Sequence, residues 1–454
     1  MQKLCSFRFL LFYLLFCCGL FACLFADTQL HGMQNSVATF LVKSAGIVTD
    51  VSEQWLLLLG CCAYILYFEL YVYLHQQAEL RRDRVVIGLQ LGVFMVAIGS
   101  YVLNYPHASL SFQTVTLFFG ACCGKSVLYW SLRRRKDAWT IRAVILFTIL
   151  VLLLLPSCSW FIDVDSAFQG ATTQRWTGPW RNPNTLGALT GAGSLLAIGL
   201  MIWQASQKYW WRIKLFVLAW LCIALCLVGH ALVRSDSRGA WLGTVSGLFY
   251  FVVIYVKYSS HKIARWVYCN IFFFAAILLS GGIVISSGFC GSEWHWVHRF
   301  NSAMNENDFS WRNRITAWDG SLQILGEHPL LGVGWNRPEP LYENYYMPPK
   351  IVEGGAIVTN DYFTFGAALG LPALFCFVAY LWLALTQNLK VGSPNEEIRP
   401  DVLQTTCRAG AVVFLIVFWF DEGLFKLPIA VVFWMLLELG RLELRAAGKN
   451  EIIV

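Results

Sequence analysis

Long apolar runs constrain this chain more than any other feature. Segments of about 20 mostly apolar residues, the length at which a helix crosses the hydrocarbon core of a bilayer, recur throughout. They fall near 7–26, 55–75, 85–104, 110–131, 139–157, 184–204, 213–232, 239–257, 266–287, 358–386, 404–420 and 424–440. Backbone N–H and C=O groups cannot go unpaired in lipid, so runs of this kind are read as helices. Composition agrees, with 57% hydrophobic and 13% charged residues among 454, against about 25% charged in a soluble domain. The longest polar stretch is one loop of roughly 70 residues. A cytosolic enzyme, a nucleic-acid binder and a disulfide-rich secreted protein are poor fits. The first run lacks a small-x-small cleavage site, so it is read as a helix and not as a signal peptide. The expected fold is an all-α polytopic membrane protein with about 12 transmembrane helices.

Basic residues orient the spans, because loops rich in Lys and Arg stay on the cytoplasmic side. With both termini inside, 23 of the 34 Lys and Arg fall on the inner side, among them Arg81, Arg82, Arg84, the run Arg133–Lys136, Lys208, Arg212, Lys257 and Arg265. That count includes Lys125, Arg142 and Arg408 near span ends. The resulting division is nine helices over 1–287, a large outer loop over 288–357, and three helices plus an inner tail over 358–454. Eight of the eleven basic residues left outside are Arg. A guanidinium offers a planar fork matched to phosphate and carboxylate, so an outward-facing anionic ligand accounts for part of this excess. Snorkelling to headgroups accounts for scattered ones such as Arg299 and Arg337. The fifteen Cys lie mostly inside spans and act as small packing residues; Cys158 and Cys290 at outer span ends can pair in an oxidising compartment. No metal-ligand spacing is present, and Asp163 and Asp165 read as solvated loop acids.

Three outer segments carry chemistry. The first runs through Arg181 into Asn182-Pro183-Asn184, where Arg181 and Asn184 sit beside a helix start, a natural anion site. The second is the short turn after His230, with Arg234, Ser235, Asp236, Ser237 and Arg238 near bilayer depth; ionisable groups there pair or serve function. Asp236 can pair with Arg234, and Gly239 and Ala240 would let a headgroup approach. The third, inside the large loop, reads as an amphipathic helix capped by Ser310. Its apolar stripe is Ile315, Trp318, Leu322 and Leu325; Arg314 shares a face with Trp318 and Arg312 points elsewhere. A Gly/Pro-rich turn containing His328 follows, with His328 expected to pack that turn.

Together the NPN element, SRGAWLG opening a span, R-x-x-x-W followed by HPLLGVG, and TNDYFTFGAALGLPAL after the large loop resemble the O-antigen ligase and O-antigen polymerase superfamily over about residues 175–385. The resemblance implies a GT-C-like integral glycosyltransferase of the bacterial inner membrane with its active site facing the periplasm. It would move a glycan from an undecaprenyl-pyrophosphate carrier to an acceptor such as lipid A-core, without metal or cofactor. It implies that Arg238 and Arg314 bind the donor pyrophosphate, with Arg181, Asn184, Arg234, Arg312, Thr359 and Asn360 as further substrate contacts. Guanidinium forks would stabilise charge on the leaving pyrophosphate, and a base would assist the acceptor hydroxyl.

One departure stands out. Ligases of the family carry His-Asn where this chain has Thr359-Asn360, and a Thr hydroxyl is no base. Asp361 is the nearest substitute, with His230 and Asp236 as others. A displaced base, a reaction relying on pyrophosphate departure alone and an inactive relative all remain open. Ligase is the first reading, polysaccharide polymerase or protein O-oligosaccharyltransferase the alternative. A secondary transporter is disfavoured: the halves 1–230 and 231–454 show no internal match, and mid-span charges look nearly absent apart from Glu69.

Overall fold

The computed structural model describes residues 2–25, 60–68, 80–104, 112–133, 138–157, 175–180, 182–207, 210–258, 309–335, 337–347, 360–386 and 401–441. All regular structure among them is helical. In chain order the helices are α1 (Gln2–Phe25), α2 (60–68), α3 (Leu80–Asn104), α4 (Phe112–Arg133), α5 (Ala138–Ser157), α6 (Pro183–Ser206) and α7 (Trp211–Arg234). They continue as α8 (Arg238–Tyr258), α9 (Phe309–Glu327), α10 (Asp361–Leu369), α11 (Leu371–Thr386), α12 (Val402–Val417) and α13 (Leu427–Arg441). Among the described residues, three helical stretches are long and apolar enough to cross a membrane: Thr140–Ser157, Pro183–Ser206 and Trp211–Arg234. Shorter apolar stretches lie in α1, α3, α8, α11 and α12. The chain is an all-α membrane protein. The expected span at 266–287, most of that at 55–75, and Glu69, Cys158, Asp163, Asp165, Arg181, Cys290, Arg299 and Thr359 lie outside the described residues.

The core is built around α6. Pro183 occupies its first turn, where a missing N–H costs nothing, and the Asn182 side chain accepts from the N–H groups of Asn184 and Thr185. Its sequence GALTGAGSLLAIG offers small residues on every side, so α5, α7, α8 and α12 all pack against it. Two further seams use Gly four apart, the spacing that lets helix backbones touch in lipid. A Cβ on Gly243 or Gly247 of α8 would lie 2.6 Å from a carbonyl oxygen of α12, Val413 or Ala409. On α4, a Cβ at Gly124 would meet the Trp434 carbonyl of α13 at the same distance.

The expected single span at 358–386 is broken. Gly370, with φ 87°, separates α10 from α11. An Ala Cβ there would lie 2.5 Å from the carbonyl carbon of Leu330. The HPLLGVG turn causes this close approach. Val333 N–H donates to Ala367 O, Gly334 N–H to Ala368 O and Leu371 N–H to Pro329 O. The first two satisfy carbonyls that the end of α10 leaves unpaired, and the third an N–H at the start of α11. Ser100 of α3 adds a hydroxyl bond to Ala368 O. The nine-residue α10, about 14 Å long, is therefore a half-helix clamped at its C-terminal end.

Charge burial also departs from the sequence reading. Lys125, Arg142 and Arg408, counted as inner-side charges, are fully buried. Lys125 pairs with Glu438 of α13 at 2.6 Å, Arg142 pairs with Asp401, and Arg408 Nε donates to Gly440 O. Tyr380 also bonds Glu438, and Arg441 approaches it at 3.4 Å. Charges inside helices are thus present, which removes one of the arguments raised against a transporter.

Candidate functional site

The turn between α7 and α8 positions Arg238. Asp236 adopts φ 49°, a left-handed conformation that Asp tolerates better than most residues. Arg175 holds the reversal by donating to the carbonyls of Ser235 and Asp236 at 3.0 and 3.2 Å. Trp176 N–H donates to Arg234 O, and the Arg234 guanidinium stands over the Trp176 ring at 5.3 Å. His230 meets the same ring edge-on at 5.0 Å. Helix α8 then starts at Arg238, while the Ser237 hydroxyl donates to Asn184 Oδ1 at 2.9 Å. Asn184, expected to contact substrate, thereby ties the starts of α6 and α8 together.

The amphipathic helix of the large loop is α9, and its faces differ from the expected stripe. It begins at Phe309, which puts Ser310 inside its first turn rather than at the cap. Ala317, Ser321, Ile324 and Leu325 face inward, whereas Ile315 and Leu322 are 47% and 48% exposed. Small side chains at 317, 320 and 321 let α9 seat against α10 and Tyr342, a contact that hydropathy periodicity does not encode. Arg312 is exposed and Arg314 half-buried, in keeping with their expected separation. The Arg314 Nε donates to Phe420 O at 3.1 Å. His328 contributes backbone bonds to Ile324 and Gly332, but its side chain is exposed, not packed into the turn as expected.

Phe420 belongs to the turn after α12, and this turn gathers the site. A Cβ on Gly239, next to Arg238, would lie 3.2 Å from the Phe420 side chain. Both arginine-bearing elements therefore flank one residue. Asp361, the first residue of α10, donates its N–H to Phe418 O at 2.9 Å. Its Oδ2 accepts from Gly423 N–H and Leu424 N–H at 2.8 and 2.7 Å. Asn360 caps α10 by accepting from the N–H groups of Tyr362 and Phe363. Thr364 N–H bonds Asn360 O. Every donor that would make this helix start an anion site is used, so an anion here depends on the arginines.

Two atoms remain. Asn360 and Asp361 are fully buried, yet Asn360 Nδ2 and Asp361 Oδ1 have no hydrogen-bond partner. Buried polar groups normally find one, so a donor and an acceptor stand ready for a ligand. Aromatic rings cluster at the first turn of α10: Trp318 packs on Phe363 and Phe420, and Trp419 packs on Tyr362 and Phe363. Full burial keeps water from the carboxylate. The part played by the turn 418–424 was not read from sequence; its signal was Asp421-Glu422-Gly423 wedged between two apolar runs. Just beyond, Lys426 pairs with Asp421 at 3.3 Å.

No curated protein matches the chain. Residues 222–378 match the family model described as O-antigen ligase. The match spans Arg238, α9, the HPLLGVG turn and α10, but neither Asn184 nor the turn that anchors Asp361. Family members are glycosyltransferase-like enzymes acting on glycans and lipid-linked substrates. The match covers about a third of the chain and supports its similarity to the O-antigen ligase and polymerase superfamily.

Proposed function

We propose that this protein is an O-antigen ligase that moves a glycan from undecaprenyl pyrophosphate to lipid A-core at the periplasmic face of the inner membrane. The twelve-span arrangement with both termini inside, the helices of 1–287 and 358–454 flanking an outer loop at 288–357, belongs to the same proposal. The observation that carries it is the pair of unpartnered atoms on Asn360 and Asp361, buried beside Phe420, which both arginine-bearing elements flank. Arg238 and Arg314 hold the pyrophosphate of the donor, and Arg181, Arg234 and Arg312 add further substrate contacts. The acceptor hydroxyl donates to Asp361 Oδ1 while Asn360 Nδ2 donates to a neighbouring acceptor oxygen. As the hydroxyl oxygen bonds to the anomeric carbon, the bond from that carbon to the pyrophosphate oxygen breaks. The electron pair leaves with pyrophosphate, whose charge the guanidinium forks stabilise, and the hydroxyl proton passes to Asp361. Asp361 thus takes the role of the His that Thr359 replaces. His230 is engaged by Trp176, which supports Asp361 over it.

A gel of surface glycolipids from a strain lacking the protein tests the reading. Uncapped core with long chains retained on the polyprenyl carrier is expected. Core carrying a single repeat would identify a polymerase instead, and an unchanged ladder would reject both roles.

A further inference from the structure

The large apolar residues that α11 leaves uncovered form one line. Leu371, Phe375, Val378 and Trp382 recur every three or four positions and are all exposed, Phe375 by 72%. That is the single stripe of a helix with one face turned to lipid. After Thr386 the sequence continues with Gln387, Asn388 and Lys390, so the apolar run stops there. The helix has 16 residues, about 24 Å at 1.5 Å per residue, whereas the hydrocarbon core is about 30 Å thick. Hydrocarbon therefore extends past Leu371, to a level that α11 itself does not reach.

At that level α10 offers lipid nothing, because Phe365 to Leu369 are buried. The HPLLGVG turn lies over them. A Cβ on Gly332 would clash with the Ala368 carbonyl, and Pro329 O takes the Leu371 N–H. Leu330 is thereby carried next to Leu371, and it is 70% exposed. Helix α3 marks the same level: Asn104 Nδ2 donates to Gly332 O at 3.5 Å, and the adjoining Val102 and Leu103 are exposed apolar residues. The backbone of the turn suits lipid as well. Pro329 has no N–H, and Gly332, Val333 and Gly334 all donate theirs within the protein, as a segment at hydrocarbon depth must. Exposed Glu327 and His328 immediately before the turn keep any insertion shallow.

We propose that the HPLLGVG turn inserts Leu330 into the bilayer and so extends the lipid-facing stripe of α11 by one step. The leaflet is the one at the N-terminal end of α11, which is the outer leaflet in the arrangement of spans proposed above. The contact needs no transfer activity. It gives this part of the large loop a fixed depth and holds the C-terminal end of α10 there.

The test uses the full-length protein in nanodiscs. A phospholipid with a diazirine near the headgroup end of its acyl chain should label Leu330 and Leu371 of the wild type and leave Glu343, exposed on the same loop, unlabelled. Two variants read the contact without a probe. Leu330 makes little contact with protein, so Leu330→Ala should unfold at the wild-type temperature. Leu330→Asp puts a charge into hydrocarbon and should unfold several degrees lower. A benzophenone side chain at position 330 should cross-link to lipid. Absence of label at Leu330, or an Asp variant that unfolds with the wild type, would put the turn in water and overturn the proposal. A benzophenone cross-link to a second copy of the chain would overturn it in favour of a protein contact. An unchanged glycolipid ladder in the deletion strain would reject the transfer reading alone, since none of these measurements depends on transfer.

Discussion

Asp361 performs two separable jobs, and two substitutions pull them apart. Its Oδ2 accepts two buried backbone N–H groups from the turn after α12, and its Oδ1 faces the site without a partner. Asp361→Ala strands both N–H groups, each worth about 1–3 kcal/mol when buried and unsatisfied. The expected loss of stability is therefore about 2–6 kcal/mol, read as a lowered unfolding temperature of detergent-purified protein. Asp361→Asn keeps an oxygen for the two N–H groups and should retain most of that stability. It cannot take a proton, so transfer in a reconstituted assay should fall by about 10²–10⁴. An Asn variant with wild-type transfer would refute the proton-acceptor role. An Ala variant as stable as its parent would refute the anchoring.

Other perturbations test the rest of the architecture. Arg238→Ala and Arg314→Ala should abolish transfer while membrane insertion, followed by immunoblot, stays normal; Arg→Lys should also fail largely, because a point charge does not reproduce bidentate contact. Gly370→Ala forces a side chain into φ 87° against Leu330 and should cost about 1–3 kcal/mol in thermal unfolding; an unchanged midpoint would mean that the clamp on α10 is loose. The bond from Tyr346 to Glu327 pushes the phenol up to about 12, with burial and the Glu327 charge adding to it. The folded state therefore holds that proton more tightly than the unfolded chain, so the contribution is complete below about pH 10 and is lost between about 10 and 12. Alkaline difference absorbance of wild type against Tyr346→Phe should show that midpoint, and Glu327→Gln should return it toward 10.

Where a helix is apolar and uninterrupted, sequence and structure coincide: 139–157, 184–204 and 213–232 reappear as α5, α6 and α7 within two residues at each end. Hydropathy reads segments one at a time, and it falters where partners decide. Gly370 sits in an unbroken apolar run, and only the docking of HPLLGVG turns that run into two helices. Ile315 and Leu322 look like core in periodicity, yet α9 seats on its smallest side chains. Lys125 and Arg142 counted as inner-side charges because no local signal announces Glu438 or Asp401, far along the chain. Within the site, the resemblance singled out Arg238, Arg314 and Asn360-Asp361, all legible as residue types in order. The turn 418–424 that gathers them was not, since its role is made of backbone N–H and C=O groups common to every residue.

The pairing of Lys125 with Glu438 has a consequence for biogenesis. Helix α4 is synthesised about 300 residues before the anion that neutralises its lysine. At a chain growth of about 5–20 residues per second, the cation waits on the order of 15–60 s inside a membrane-embedded intermediate. Arrival of α13 ends that wait and at the same time sets Trp434 into the Gly120–Gly124 seam. The last described helix thus closes the bundle: until it is made, Lys125 lacks Glu438 and the Gly120–Gly124 face of α4 lacks Trp434.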